Sequence, residues 1–347
     1  MFAQMNLVRQ LFAALVIALA CSGLAQAQKW VKLAPFPDAS EELYGISSGG
    51  KLYVFGGLGH DWTPKGLAFE YDPATDKWTR KKNMVLPAHH TALATLNGKI
   101  YVIGGYAASN TSRPGWLPID NNWEYDPVAD SWNPLAPLPF ARGSAVAFEH
   151  KGRIYVIGGN GMHPGVKPAP LWSDMAQRSY ADVDEYDPAS NSWRARTPMP
   201  TPRNHMFGGI VDGKIYVIGG RLGPSFIGAA TNVDIVEQYD PDADKWGAPQ
   251  PRMLTPRSGG GSGVYNGRIY VAGGEQQDHR MFAAFRALEV FDPKAQVWTP
   301  MPLMPTPRHG FAAAFIGNRF HIISGETQAA GTGVSGATTA HDVFEVK

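Results

Sequence analysis

A glycine pair, an aromatic-Asp-Pro unit and a tryptophan recur in that order five times, about every 50 residues. The pairs are Gly56-Gly57, Gly104-Gly105, Gly158-Gly159, Gly219-Gly220 and Gly273-Gly274. The aromatic-Asp-Pro units begin at Tyr71, Tyr125, Tyr186, Tyr239 and Phe291, and Trp78, Trp132, Trp193, Trp246 and Trp298 each follow seven residues later. A fixed period of this length marks one supersecondary unit that buries its faces only by stacking on copies of itself.

The third unit shows how the repeat is built. A small, apolar stretch, Ser144 to Glu149, meets a turn at Lys151-Gly152. Arg153 to Gly158 is β-branched and aromatic, Val183 to Tyr186 reads as a third strand, and Ser192 to Arg196 as a fourth after the turn at Pro188 to Asn191. This is a four-stranded antiparallel meander. Radial closure of such sheets leaves only short edges, which favours an all-β propeller. The composition, with 39 Gly, 28 Pro and 18% charged residues, suits short strands and turns.

The resemblance is to the kelch-repeat β-propeller family, carried by the glycine pairs, the Tyr-Asp-Pro units, the spaced Trp residues and the Pro-Arg turns over residues 29–347. A sixth unit is incomplete. Gly310 to Gly325 supplies two strands, with Ser324 in place of the first Gly, and Asp342 to Val346 aligns with Leu288 to Asp292. Its missing outer strand has a counterpart at the other end, where Trp30 to Pro37 repeats the Trp-to-Pro spacing of Trp132 to Pro139. The expectation is six blades, closed by an N-terminal strand completing the last blade.

Residues 1–27 read as a secretory signal: Arg9, an apolar stretch from Leu11 to Ala20, and Ala25-Gln26-Ala27 as a small-x-small cleavage site. A periplasmic or secreted protein, residues 28–347, with no membrane insertion after cleavage, is expected. A membrane anchor is one alternative, for which the apolar stretch is short, and lipidation at Cys21 a further one, although Ala18 stands where a lipobox usually has Leu. Cleavage would remove the only Cys, excluding disulfides and thiolate chemistry. Copper-radical oxidases related to galactose oxidase also use a kelch propeller, but need a Tyr–Cys crosslink that such a chain could not form. The formal charge of +1, with no long basic run, argues against a nucleic-acid or anionic-membrane partner.

Strand alternation puts the loops of variable length on one face of the propeller. Aligned on Pro-Arg, Arg142, Arg203, Arg257 and Arg308 share a slot read as structural, filled by Ser40 and Ala88 in the first two blades. Two positions on stand Glu42, His90, Ser144, His205, Gly259 and Gly310, and directly after the glycine pairs stand Leu58, Tyr106, Asn160, Arg221, Glu275 and Glu326. Glu42, His90, His205, Arg221, Glu275 and Glu326 are therefore expected to converge at the channel mouth as ligand-binding groups. Tyr106, Trp116 and Trp172 would serve as aromatic contacts on longer loops. The expected function is a non-redox binding module for a carbohydrate or protein partner, monomeric and without a cofactor. No metal site is expected, since no compact His-x3-His motif occurs and His90 and His205 sit two blades apart. The alternative rests on a resemblance to periplasmic sialic-acid mutarotases, which pair a Glu after a strand-end Gly with an Arg a few residues on. It implies Glu275 and Arg280 as catalytic residues, the carboxylate moving the anomeric proton and the Arg holding a sugar carboxylate.

Overall fold

The computed structural model describes residues 29–59, 61–109, 115–163, 169–171, 177–225, 231–278, 281–329 and 336–347. Described strands form six four-stranded antiparallel sheets. The innermost strands, a, are Glu41–Ser48, Ala92–Leu96, Val146–His150, Phe207–Val211, Gly261–Tyr265 and Ala312–Ile316. Each packs on the next and the last on the first, closing a six-bladed propeller. In the sixth blade Lys29–Lys32 is the outermost strand and pairs with His341–Glu345, placing Trp30 opposite Phe344. The expected closure through the N-terminal strand is what the register shows. The expected leader, residues 1–27, lies outside the described residues, as do Trp172 and Arg280.

The repeated tryptophan joins neighbouring blades. Each indole N–H donates to a carbonyl leading out of the preceding blade: Trp78 to Ala34 at 3.0 Å, Trp132 to Lys82 at 2.9 Å, Trp193 to Ala136 at 2.8 Å. Trp246 reaches Thr197, Trp298 reaches Pro251 and Trp30 reaches Pro302 in the same way. The turn between the outer strands adds a second tie. Asp76, Asp130, Asn191 and Asp244 adopt positive φ, and each accepts a bond from the tyrosine five residues earlier and from a backbone N–H of the preceding blade.

Small residues line the central channel, a space of about 450 Å³ bordered by Gly45, Ala92, Ala145, Gly209, Gly261 and Ala313 among others. A Cβ on Gly209 would lie 2.4 Å from the Val264 side chain, so inner strands can approach this closely only without one. At the end of strand b the glycine pair kinks the chain. Gly159 has φ of +100°, and a Cβ there would stand 2.7 Å from the Gly143 carbonyl. Beyond this kink every blade carries a second, shorter tier of pairing, and that tier positions the candidate site.

Candidate functional site

In the upper tier the residue after the arginine slot pairs with the residue after the glycine pair, always across 17 positions. The pairs are Glu41 with Leu58, His89 with Tyr106, Gly143 with Asn160, Asn204 with Arg221, Ser258 with Glu275 and His309 with Glu326. The next residue of each blade, Glu42, His90, Ser144, His205, Gly259 or Gly310, has φ between +53° and +68°. That left-handed backbone is costly for a residue with a side chain. Here it is held by a belt of inter-blade backbone bonds: Ser144 N to His90 O, His205 N to Ser144 O, Gly259 N to His205 O, Gly310 N to Gly259 O, and Leu43 N to Gly310 O, at 2.7–3.1 Å. The belt runs across five of the six blade junctions and gathers four side-chain-bearing residues at one end of the channel.

The six polar residues expected at the mouth do converge, but as a buried cluster and not as an open rim. Glu42, His90, His205, Arg221, Glu275 and Glu326 are each at most 6% exposed. Loops from blades 2, 3 and 4 cover them: Trp116 and Leu171 exchange backbone hydrogen bonds, and Ser225 lies against Ser144 and Arg221. The distance argument against His90 and His205 fails as well. Their Nε2 atoms lie 2.8 Å apart although two blades separate them in order, because the belt turns both side chains toward the axis. A space of about 30 Å³ beside His205, Gly259 and Gly310 has room for roughly one water.

Donor and acceptor roles follow from the fixed donors. Arg221 Nη2 donates to His205 Nε2 at 2.9 Å, so that imidazole is neutral and its Nδ1–H donates to Asn204 Oδ1 at 2.6 Å. His90 Nε2 stands 3.1 Å from Glu42 Oε2, and its Nδ1 stands 2.6 Å from His89 Nδ1. Burial holds His89 down at about 3 and pushes His90 and His205 well below the usual histidine range, helped at His90 by His205 and at His205 by Arg221. Burial, with Glu41 beside it, raises Glu42 to about 8, and burial raises Glu326. Burial works against a charged His309, but Glu275, Glu41 and Glu42 outweigh it and lift it to about 10.

Two aromatic residues expected on open loops are in fact packing. Tyr106 is fully buried and Trp116 is 4% exposed, their rings 5.4 Å apart and stacked, with Leu58 and Leu171 around them. Glu275 pairs with Arg221 at 3.0 Å, and Arg280, its expected partner, lies outside the described residues. The cluster also holds Glu41, Tyr44, Ser225 and His309, which the sequence reading did not select. The constant 17-residue offset between the two slots was the available signal, since it makes His309 a neighbour of Glu326 and Glu41 a neighbour of Leu58.

Comparisons with known proteins agree with this architecture. The Kelch motif model matches residues 46–85, 87–139 and 141–200, and the KLHDC2/KLHL20/DRC7 Kelch-repeats domain model matches residues 172–325. Kelch-like protein 23 of Homo sapiens is 28% identical over 279 residues, which is 80% of this chain and 44% of that protein. Kelch-like protein terF of Aspergillus terreus is 27% identical over 297 residues, 84% of this chain and 60% of that protein. The chain thus spans about half the length of these relatives. The solved structure of YjhT superposes with a TM-score of 0.71 at 20% identity, over 90% of this chain and 97% of that one. Repeat, blade topology and family models together show that the chain belongs to the kelch-repeat family.

Proposed function

We propose that this propeller is an exported, non-redox binding module that docks a protein partner on the face carrying the longer loops. The observation that carries this reading is an apolar tip on blade 5. Glu275–Gln277 pairs with Phe282–Ala284 in a hairpin raised from that face, and at its turn Met281 is 49% and Phe282 56% exposed. Leu254 and Leu303, on the loops entering and leaving the same blade, are exposed too. Exposed apolar groups on the loops of one blade suit a docking surface. A protein is favoured over a carbohydrate because Tyr106 and Trp116, the side chains suited to stacking on a sugar, are packed inside. The mutarotase reading loses support for a related reason: Glu275 is 2% exposed and held by Arg221, away from a substrate.

The test compares the wild type with a Met281→Ser, Phe282→Ser double variant, on envelope extracts and on a glycan array. The expected result is a discrete protein captured by the wild type and lost by the variant, with no glycan signal. Equal capture by both would remove blade 5 from the docking face. Glycan binding without protein capture would transfer the role to a carbohydrate.

A further inference from the structure

The closed end of the channel concentrates negative charge. Glu41, Glu42, Glu275 and Glu326 are all buried there, and Arg221 is the fixed cation among them, bonded through Nη1 to Glu275 Oε1. His309 is completely buried, and among the described residues neither ring nitrogen closes to a hydrogen bond. Its Nε2 stands 3.5 Å from Glu41 Oε2 and 3.6 Å from Glu275 Oε2. Glu41 Oε2 likewise lacks a hydrogen-bond partner. Ligand-type atoms of Glu41, Glu42 and His309 all lie within 4.8 Å of one another.

These separations have a physical meaning. A good N–H···O bond closes to about 2.9 Å, and a buried imidazole facing a carboxylate would be expected to close to it. Ligand atoms held about 2.0–2.1 Å from a tetrahedral ion stand roughly 3.3–3.4 Å from each other. The 3.5 Å between His309 Nε2 and Glu41 Oε2 is close to that separation, and Glu42 offers a third oxygen within 4.8 Å of both. The chemistry is consistent, because carboxylate oxygens with one imidazole nitrogen suit zinc or manganese.

We propose that Glu41, Glu42 and His309 bind one divalent first-row cation, zinc or manganese, at the closed end of the channel, with the Glu275 carboxylate next to it. The site joins blade 1 to blade 6, the two blades that meet where the ring closes. It does not depend on the docking reading, and a partner on blade 5 could be absent while the ion is bound.

The test uses the full chain, isolated without chelators and also refolded with added zinc or manganese, because His309 cannot be reached from solvent in the closed structure. Elemental analysis after desalting should give about one ion per chain, and that ion should raise the melting temperature. Glu41→Gln and His309→Gln should each weaken binding at least tenfold, while His150→Gln, at the other end of the channel, should leave it unchanged. Circular dichroism identifies any variant that fails to fold, and the Glu41 substitution changes one oxygen to an amide with almost no change in shape. A wild type that retains no stoichiometric ion by either route overturns the proposal, with His309 then a protonated counter-charge to the carboxylates. Folded variants that bind as tightly as the wild type overturn it equally.

Discussion

Four side chains, Arg142, Arg203, Arg257 and Arg308, do for their blades what no other residue type could. Each is fully buried and pairs with an acid on its own third strand: Asp184 at 2.8 Å, Glu237 at 2.9 Å, Glu289 at 2.7 Å and Asp342 at 2.6 Å. Arg257 also donates to the carbonyls of Gly273, Val271 and Thr255, so one planar fork ties strand b, the kink and the entry loop. Removing it strands Glu289 and three acceptors. Arg257→Met should therefore cost about 3–5 kcal/mol, measured as a shift of the urea midpoint at constant m-value. Arg257→Lys should recover little, because one ammonium cannot span the same acceptors. A loss below about 1 kcal/mol, the ordinary cost of an average substitution, would mean the clamp is not what holds the kink. The structural role of this slot could be read from its spacing, but its partners were overlooked. They stand two residues before the aromatic, and in blades 1 and 2, where the slot holds Ser40 and Ala88, that position holds Phe69 and Trp123. Arginine and acid are present together or absent together, which is a signal visible in the sequence alone.

At the scale of the blade, the repeated turn residue is as much a part of the element as its strands. In blade 4, Asp244 Oδ1 accepts from Tyr239 Oη at 2.6 Å and from Thr197 N at 2.8 Å while its backbone holds φ of +51°. Asp244→Ala removes both bonds and places a residue that dislikes the left-handed region there, so a loss of about 2 kcal/mol is expected. Asp244→Asn should cost under about 1 kcal/mol, because its amide oxygen can still accept both bonds and Asn tolerates this backbone. Blade 3 already uses Asn191 in that place. Equal losses in the two variants, by denaturant titration, would show that the hydrogen bonds are incidental. Blade 5 departs from the rule in both members at once: Phe291 has no hydroxyl, and Gln296 stands where the acceptor would be. Strands, blade order and the loop face were legible because period and turn chemistry report them directly. The burial of the site was not, since nothing about a glutamate or histidine announces that its backbone will be turned to positive φ. That turn carries Glu42, His90 and His205 inward, and Trp116 and Leu171 then close over them from segments with no repeat to align.

The whole molecule is a ring, and a ring is only as stable as the junction where its two chain ends meet. Blade 6 joins blade 1 through devices the other junctions lack. Ser324 Oγ donates at 2.7 Å to the carbonyl of Ser40, the blade 1 residue in the slot that arginine fills in blades 3 to 6. Beneath it lies a buried histidine pair. His341 Nδ1 bonds the Ala34 carbonyl at 3.1 Å, so it carries the proton, and its Nε2 accepts from His321 Nδ1 at 2.8 Å. The Tyr71 ring of blade 1 packs edge-on to His341 at 4.7 Å and lies 5.6 Å from His321. Arg319, Arg308 and Asp76 are the charged groups that face the pair. Burial is the main cause that depresses both imidazoles, His321 to about 3 and His341 to about 4, against an ordinary value of 6.5. The sign follows from proton counting. The unfolded chain takes up protons at these positions below pH 6.5 while the folded chain does not, so the stability they contribute is complete above that pH. It is lost progressively as the pH falls toward 4 and below. His89, His90 and His205 are depressed in the same sense and outnumber Glu42, which is raised to about 8 and acts oppositely, so the protein should weaken between pH 6.5 and 4 with or without the junction pair. A His321→Gln, His341→Gln variant isolates the junction: it should start less stable at pH 7.5 and lose less than the wild type between pH 6.5 and 4, so the two curves converge. Parallel curves would show that acid opens the ring somewhere other than at its closure.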